Sequence, residues 1–407
     1  MPAPVPTSRA RSPRLTGLLA LLLLALGPAA ARAHDPSAWG GLFRSRDAGA
    51  TWFPANQGRF VSGAIALAIS PTDVTHLLLA TDTGLLRSRN AGRDWTVEAP
   101  TVLLGAVLAV AFDRDGLRAL ASTALGIYRT DDGVAWRQVR APDGLAPARA
   151  IVPGGAAGRV YIAGFNGLAR SEDWGGSWAS VAEGLPETPV TSLTVVPGSP
   201  DAVYAVAGGR LMASADAGRT WQPRDSGLPA GAVDAVALDP REARRLWAAG
   251  ADRLFDSEDA GTSWRPVGRP LVEPSTTVRG IAVSVSRTAI VLATDRGLYR
   301  SADRGERWEL LAENLPVHLE AGLLVRDPAD PATLYAGFAL TPYTEMWRLA
   351  AEGGNLLGRL DWVSLAGGVV FLIVLGLGSA MLLRRLARYY RAPAPLKPGG
   401  RVGETTR

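Results

Sequence analysis

The sequence predicts an all-β chain: a seven-bladed β-propeller with an N-terminal signal peptide and a single C-terminal transmembrane helix. Three observations predict it. A short element ending in Trp returns seven times, at intervals of 41 to 44 residues. Each interval holds four short runs bounded by Gly, Pro or Asp. A long apolar stretch without charge stands near each end of the 407 residues.

The N-terminus comes first. Arg9, Arg11 and Arg14 precede the apolar run LTGLLALLLLALG (15–27), and Ala31-Arg32-Ala33 offers small residues for cleavage. A basic segment, a short apolar core and a small-x-small site are the marks of a secretory leader. Thirteen residues make only ~20 Å of helix, short of the ~30 Å of a hydrocarbon core. Residues 1–33 are therefore expected to be removed, leaving a mature chain that starts at His34.

Residues 34–350 carry the repeat. Its element reads SRDAGATW (45–52), SRNAGRDW (88–95), TDDGVAW (130–136), SEDWGGSW (171–178), SADAGRTW (214–221), SEDAGTSW (257–264) and SADRGERW (301–308). Such spacing marks a repeat architecture. The box position of Asp is held by Asp47, Asn90, Asp132, Asp173, Asp216, Asp259 and Asp303, and the closing residues are Trp52, Trp95, Trp136, Trp178, Trp221, Trp264 and Trp308. Ser and Asp side chains take backbone N–H groups within a turn, the Gly supplies a positive φ, and the Trp buries a flat surface between neighbouring units. The seven copies read as structural, because catalysis does not need one residue repeated around a ring.

Between boxes, runs such as AIALAIS, HLLLAT and GLLRS have four to seven residues and β-rich composition, which predicts strands. Four strands per ~43 residues describe a propeller blade. Residues 41–54 supply only the third and fourth strands of a blade, and EAGLLVRDP with ATLYAGFA supplies two strands after the last box. Joining the two ends closes a ring of seven and protects both edges. Two segments, 346–349 and 42–44, compete for the third strand of that composite blade, and the sequence alone leaves both open.

The boxes, with consensus Ser-x-Asp-x-Gly-x-Thr-Trp, resemble the Asp-box or BNR repeats over about residues 41–349. The compact boxes and Gly-Leu-Pro connections are similar to the single seven-bladed propellers of the photosystem II stability/assembly factor family, and more distantly to sialidase and sortilin-type propellers. Asn90 in the second box and the missing residue in the third predict distorted turns there. The assembly-factor resemblance implies a non-catalytic protein-binding platform, in which a basic patch meets the partner.

Beyond the repeats, residues 351–361 read as a juxtamembrane linker. Residues 362–383 hold 22 positions without charge, enough to span a bilayer. Arg384, Arg385, Arg388 and Arg391 follow, and positive charge stays cytoplasmic, so the propeller is expected outside the cell membrane and the tail 384–407 within. That tail is short for a signalling domain.

The overall charge of +5 belongs to these ends. The leader carries four Arg, and the tail carries seven basic residues against Glu404, which leaves a net −5 for residues 34–383. An acidic exported body removes the main support for nucleic-acid binding. The absence of Cys excludes a disulfide scaffold, a thiolate metal site and a cysteine nucleophile, and three His argue against a histidine metal centre. No cofactor or metal is expected. Lys397 is the single lysine, and Ala and Gly abound, which points to a GC-rich bacterial genome.

The face opposite the box hairpins is where a ligand would sit. Loops there carry Arg59, Phe60, Asp82, Arg149, Asn166, Glu187, Arg210, Asp252, Arg253, Glu273, Arg279, Asp295, Arg296, His318, Glu320 and Tyr343. Of these, Arg59, Arg149, Arg279, Glu320 and Tyr343 are the leading funnel candidates. The sialidase resemblance implies an arginine triad, which Arg59, Arg149 and Arg279 could supply, and a Tyr–Glu nucleophile pair. Tyr128, Tyr161, Tyr204, Tyr299 and Tyr335 fall in expected strands, which leaves Tyr343 for that role. The expected partner is another extracytoplasmic or membrane protein. Glycan binding or sialidase-like hydrolysis in the funnel is the alternative.

Overall fold

Seven four-stranded antiparallel sheets succeed one another around a central axis in a computed structural model that describes residues 40–352, except 143 and 199, and residues 378–384. The chain divides into two units, 1–354 and 355–407. The expected signal peptide, residues 34–39, the linker from 353 and the tail from 385 lie outside the described residues, as does the span up to 377. Residues 378–384 are helical. Among the described residues no helix is long and apolar enough to cross a membrane.

Blades 1 to 6 each consist of four consecutive strands, as in blade 1, with Ala64–Ile69 innermost, then Leu77–Thr81, Gly84–Ser88 and Thr96–Glu98 at the rim. The second strand is the most deeply buried, and every residue of Leu77–Thr81, Ala119–Thr123, Val160–Gly164, Leu246–Gly250 and Ile290–Thr294 is inaccessible. These runs are mostly apolar because neighbouring blades cover both of their faces. The rim strands are only two to four residues long, which keeps exposed edges short.

Blade 7 joins the ends of the chain. Its sheet orders Phe53–Pro54, Gly41–Ser45, Leu334–Ala339 and Glu320–Arg326. Residues 42–44 therefore take the third position, pairing Phe43 with Ala336. The competing segment, expected as a strand at 346–349, is instead part of helix α1 (Tyr343–Ala351). Tyr343, Met346 and Ala350 recur at helical spacing and are buried, so the segment packs one face rather than extending an edge.

The box turns show why the repeat is kept. In the first box Ser45 Oγ accepts the Gly49 N–H at 2.9 Å and donates to Asp47 Oδ1 at 2.7 Å. Asp47 Oδ1 accepts the Thr51 N–H at 2.9 Å, and its Oδ2 takes the Thr51 hydroxyl at 2.6 Å. Ala48 and Gly49 both hold positive φ, 55° and 84°, a double left-handed step that the side-chain bonds sustain. The second box keeps this geometry despite Asn90, contrary to the expected distortion. Asn90 Oδ1 accepts the Asp94 N–H at 2.9 Å, and its amide donates to Asp94 Oδ2 at 2.7 Å. Donor and acceptor have exchanged places across the turn. The third box does differ: Asp132 accepts from Val134 and Ala135, and Gly133 alone takes positive φ, because one residue is missing.

The box tryptophans join blades through hydrogen bonds as well as area. Trp95, Trp221, Trp264 and Trp308 donate to the carbonyls of Ala55, Val181, Arg224 and Arg269, each about 40 residues earlier in the preceding blade, at 2.7–3.0 Å. Trp136 uses the Glu98 carboxylate instead, at 2.8 Å, and Trp52 closes on Gly49 of its own turn. Arginines just before the boxes reach the other way. Arg44, Arg129 and Arg170 donate to the carbonyls of Ala91, Trp174 and Ala217 in the next blade's box.

Candidate functional site

In all seven blades the pairing of the first two strands slips by one residue near the upper end of the innermost strand. A bulge re-aims the residue it leaves unpaired. The unpaired residues are Ile65, Leu108, Arg149, Thr191, Asp234, Arg279 and Gly322, and all seven line one cavity of about 710 Å³ on the axis. Bulges repeated by the fold thus make a ring in which each blade contributes one side chain. The ring lies on the face opposite the box hairpins, where the connections between blades run.

The ring is divided by chemistry. Blades 7, 1 and 2 contribute Gly322, Ile65 and Leu108, and blades 3 to 6 contribute Arg149, Thr191, Asp234 and Arg279. Helix α1 covers the apolar half. Ile65, Leu108, Ala339, Tyr343, Met346 and Ala350 form one buried cluster. Gly322 is needed there, since a Cβ at that position would stand 2.1 Å from Tyr343 Cζ. The Tyr343 hydroxyl is placed to donate to the carbonyls of Ala64, at 2.6 Å, and Gly337, at 3.2 Å. The polar half remains open.

Each leading candidate now has a place. Arg149, Arg279, Glu320 and Tyr343 line the chamber, whereas Arg59 does not. Arg59 sits in the connection from blade 7 to blade 1 and donates to the Trp95 carbonyl at 3.1 Å, so the three arginines form no triad. Glu320 Oε2 accepts the Tyr343 backbone N–H at 2.9 Å and lies 3.1 Å from Arg279 Nη1. It therefore secures the start of α1 rather than facing the phenol oxygen. Burial pushes the Tyr343 phenol well above its ordinary range, so it stays protonated. A Tyr–Glu nucleophile pair needs the carboxylate at the hydroxyl, and this geometry does not provide it. Tyr128, Tyr161, Tyr204, Tyr299 and Tyr335 lie in strands, as expected.

Among the other loop residues, Asp295 lines the chamber and accepts the Thr277 N–H at 3.0 Å, and Asp252 holds the N–H groups of Ser275 and Thr276. Arg210 pairs with Asp225 at 2.9 Å. These contacts order the connections between blades.

Sequence reasoning missed Asp234, Thr191 and Trp347. Asp234 lies inside the strand Val233–Leu238, where alternation alone does not reveal a bulge. Its carboxyl accepts the Val278 N–H at 3.2 Å. Burial pushes it up to about 6, against that hydrogen bond and with the help of the Asp295 and Asp252 charges. Trp347, on α1, meets Phe165 edge to face, with centroids 6.1 Å apart, and the Arg149 guanidinium sits in the corner between them, 4.8 Å from the Phe165 ring and 5.0 Å from that of Trp347. Among the described residues no group of three or more carboxylates and imidazoles is arranged to hold a metal ion.

Below the chamber the same strands surround a second, more open space of about 310 Å³, lined by Leu193, Val195, Leu238, Ile281 and Leu324 together with Thr194 and Arg326. This arrangement of seven sheets around a room is shared with known proteins. The chain has the fold of YCF48. A structure of YCF48 bound to a D1 peptide superposes with a TM-score of 0.50, covering 70% of this chain and 94% of that one at 17% identity. YCF48 from Cyanidioschyzon merolae gives 0.52 at 14% identity, over 69% and 96% of the two chains. A GH74 xyloglucanase from Xanthomonas campestris gives 0.54 at 19% identity, covering 68% of this chain, which spans about half (51%) of that enzyme. Neither family profiles nor curated protein sequences match the chain. At these identities the likeness to YCF48 and to the xyloglucanase is one of fold.

Proposed function

We propose that this chain is a membrane-anchored, extracytoplasmic β-propeller that serves as a non-catalytic platform for docking another protein in the cell envelope. The observation that carries the reading is the face around the chamber mouth. The loops between blades and the turns within them expose Phe60, Leu104, Leu125, Val272 and Val317, with Phe60 and Val272 at 70% and 71%. Exposed apolar side chains gathered on one face suit a protein partner. YCF48, which shares the fold, is seen with a peptide bound. The leader and the apolar stretch 362–383 support anchorage with the propeller outside and the Arg-rich tail in the cytoplasm. The occupied hydroxyl of Tyr343 and the lack of an arginine triad speak against sialidase-type hydrolysis.

The test is site-specific photo-cross-linking in native membranes. A photoreactive residue at Val272 is expected to capture one discrete protein, and the same probe at Val134, on a box hairpin of the opposite face, is not. Equal capture at both sites, or capture of polysaccharide alone at Val272, refutes the docking reading. The second outcome would restore glycan binding as the function.

A further inference from the structure

The open half of the chamber is lined by charges of opposite sign, Arg149 on one side and Asp234 and Asp295 on others. Arg149 sits in a corner between two aromatic rings, and its Nε is buried without a hydrogen-bond partner among the described residues. No carboxylate offsets its desolvation. A guanidinium has five donors in a planar fork, whose edge matches the two oxygens of a carboxylate. Asp234, two blades away, takes one backbone N–H and has no ion pair among the described residues, where Arg279 pairs with Glu320. Thr191 stands between them in the ring. A simple anion would satisfy Arg149 but meet Asp234 and Asp295; a simple cation would meet Arg149. Only a ligand with both charges answers both walls, and a cavity of about 710 Å³ is the size of a small-molecule site.

We infer that the open half of the chamber binds a small zwitterion, a free amino acid or short peptide, with its carboxylate on the Arg149 edge and its ammonium on Asp234. This goes beyond protein docking on the surrounding face and does not rest on it. Trp347 makes α1 part of the site: the helix that fills the apolar half also supplies one wall of the carboxylate pocket.

Isothermal titration of the detergent-purified full chain tests this with L-alanine, γ-aminobutyrate and dialanine, each beside its N-acetylated and C-amidated forms. At least one zwitterion is expected to bind saturably, and both of its blocked forms at least about ten-fold more weakly, as loss of a charge-assisted hydrogen bond implies. Arg149→Gln should match the effect of amidation and be indifferent to it, and Asp234→Asn should do the same for acetylation. No saturable binding below about 10 mM, or blocked forms binding as well as the parents, overturns the inference. So does acetate alone reproducing the affinity. The analogue series on the unmodified chain decides the matter even where a variant fails to fold.

Discussion

Acid should weaken this propeller through one histidine. His76 is buried, and its Nε2 stands 2.5 Å from Arg87 Nη1, which can only donate. Arg87 is fixed in turn by Glu98, at 2.6 and 2.8 Å, and Glu98 also accepts the Trp136 indole of the next blade. The Phe112 ring closes the site 4.7 Å away. Desolvation first, and then the Arg87 charge, pull the imidazole from 6.5 down to about 4. The unfolded chain therefore takes up a proton through pH 6.5, which the folded chain refuses until about pH 4. The stabilisation is complete above the unfolded value and is lost as the pH falls toward the folded one. At about 1.4 kcal/mol per pH unit, the loss between pH 7 and 4.5 is about 2 kcal/mol. Urea unfolding of the detergent-solubilised chain, followed by Trp fluorescence at both pH values, reads this directly. His76→Gln keeps an acceptor for Arg87 and removes the titration, while every other ionisable group is common to both chains. The variant should lose about 2 kcal/mol less than the parent over that interval. Equal losses would show that His76 does not titrate as its surroundings require.

Four further outcomes follow from the same contacts. Arg307→Thr should raise Tm, because box seven lacks the hydroxyl that Thr51, Ser177, Thr220 and Ser263 donate to the outer carboxylate oxygen at 2.6–2.8 Å; calorimetry showing no rise refutes it. Gly322→Ala should drive α1 off the ring, read as faster tryptic cleavage at Arg348 with unchanged β circular dichroism. Trp221→Phe should cost about 1–3 kcal/mol by leaving the Val181 carbonyl unpaired and the blade contact thinner, measured as a lower urea midpoint. Protease added outside intact cells should remove the propeller and spare the tail, and a protected propeller would reverse the proposed orientation.

The blades were legible because the fold repeats its chemistry. Trp at one spacing, Asp or Asn in a turn and β-rich runs between them are local signals, and the ring follows from counting them. Closure was half legible. Residues 42–44 and 346–349 are both short and apolar, and only packing against Leu334–Ala339 chose between them. The spacing of Tyr343, Met346, Trp347 and Ala350 carried a helical signal, but over nine residues it is too short to outweigh a strand reading. Arg149 and Arg279 were found for their charge. Asp234 escaped because a bulge is a property of pairing, not of one strand, although aligning the seven inner strands would have placed it in their column.

That column also explains how a symmetric scaffold acquires a direction. Ser, Asp, Gly and Trp of the boxes are nearly invariant from blade to blade because each solves the same turn, so variation there would cost stability and gain nothing. The bulge position is under the opposite condition. Its side chain leaves the ladder and lines the chamber, and the position holds Ile, Leu, Arg, Thr, Asp and, where Tyr343 leaves no room for a Cβ, Gly. The choices are nonetheless not scattered: three apolar or absent side chains fall on consecutive blades, four polar ones on the rest, and a helix seals the first group. An Arg or Asp at the position of Ile65 or Leu108 would be buried beneath α1, a cost that the apolar choices there avoid. The column that the ladder leaves unpaired is therefore where the seven blades differ in chemistry, whereas the boxes repeat one solution.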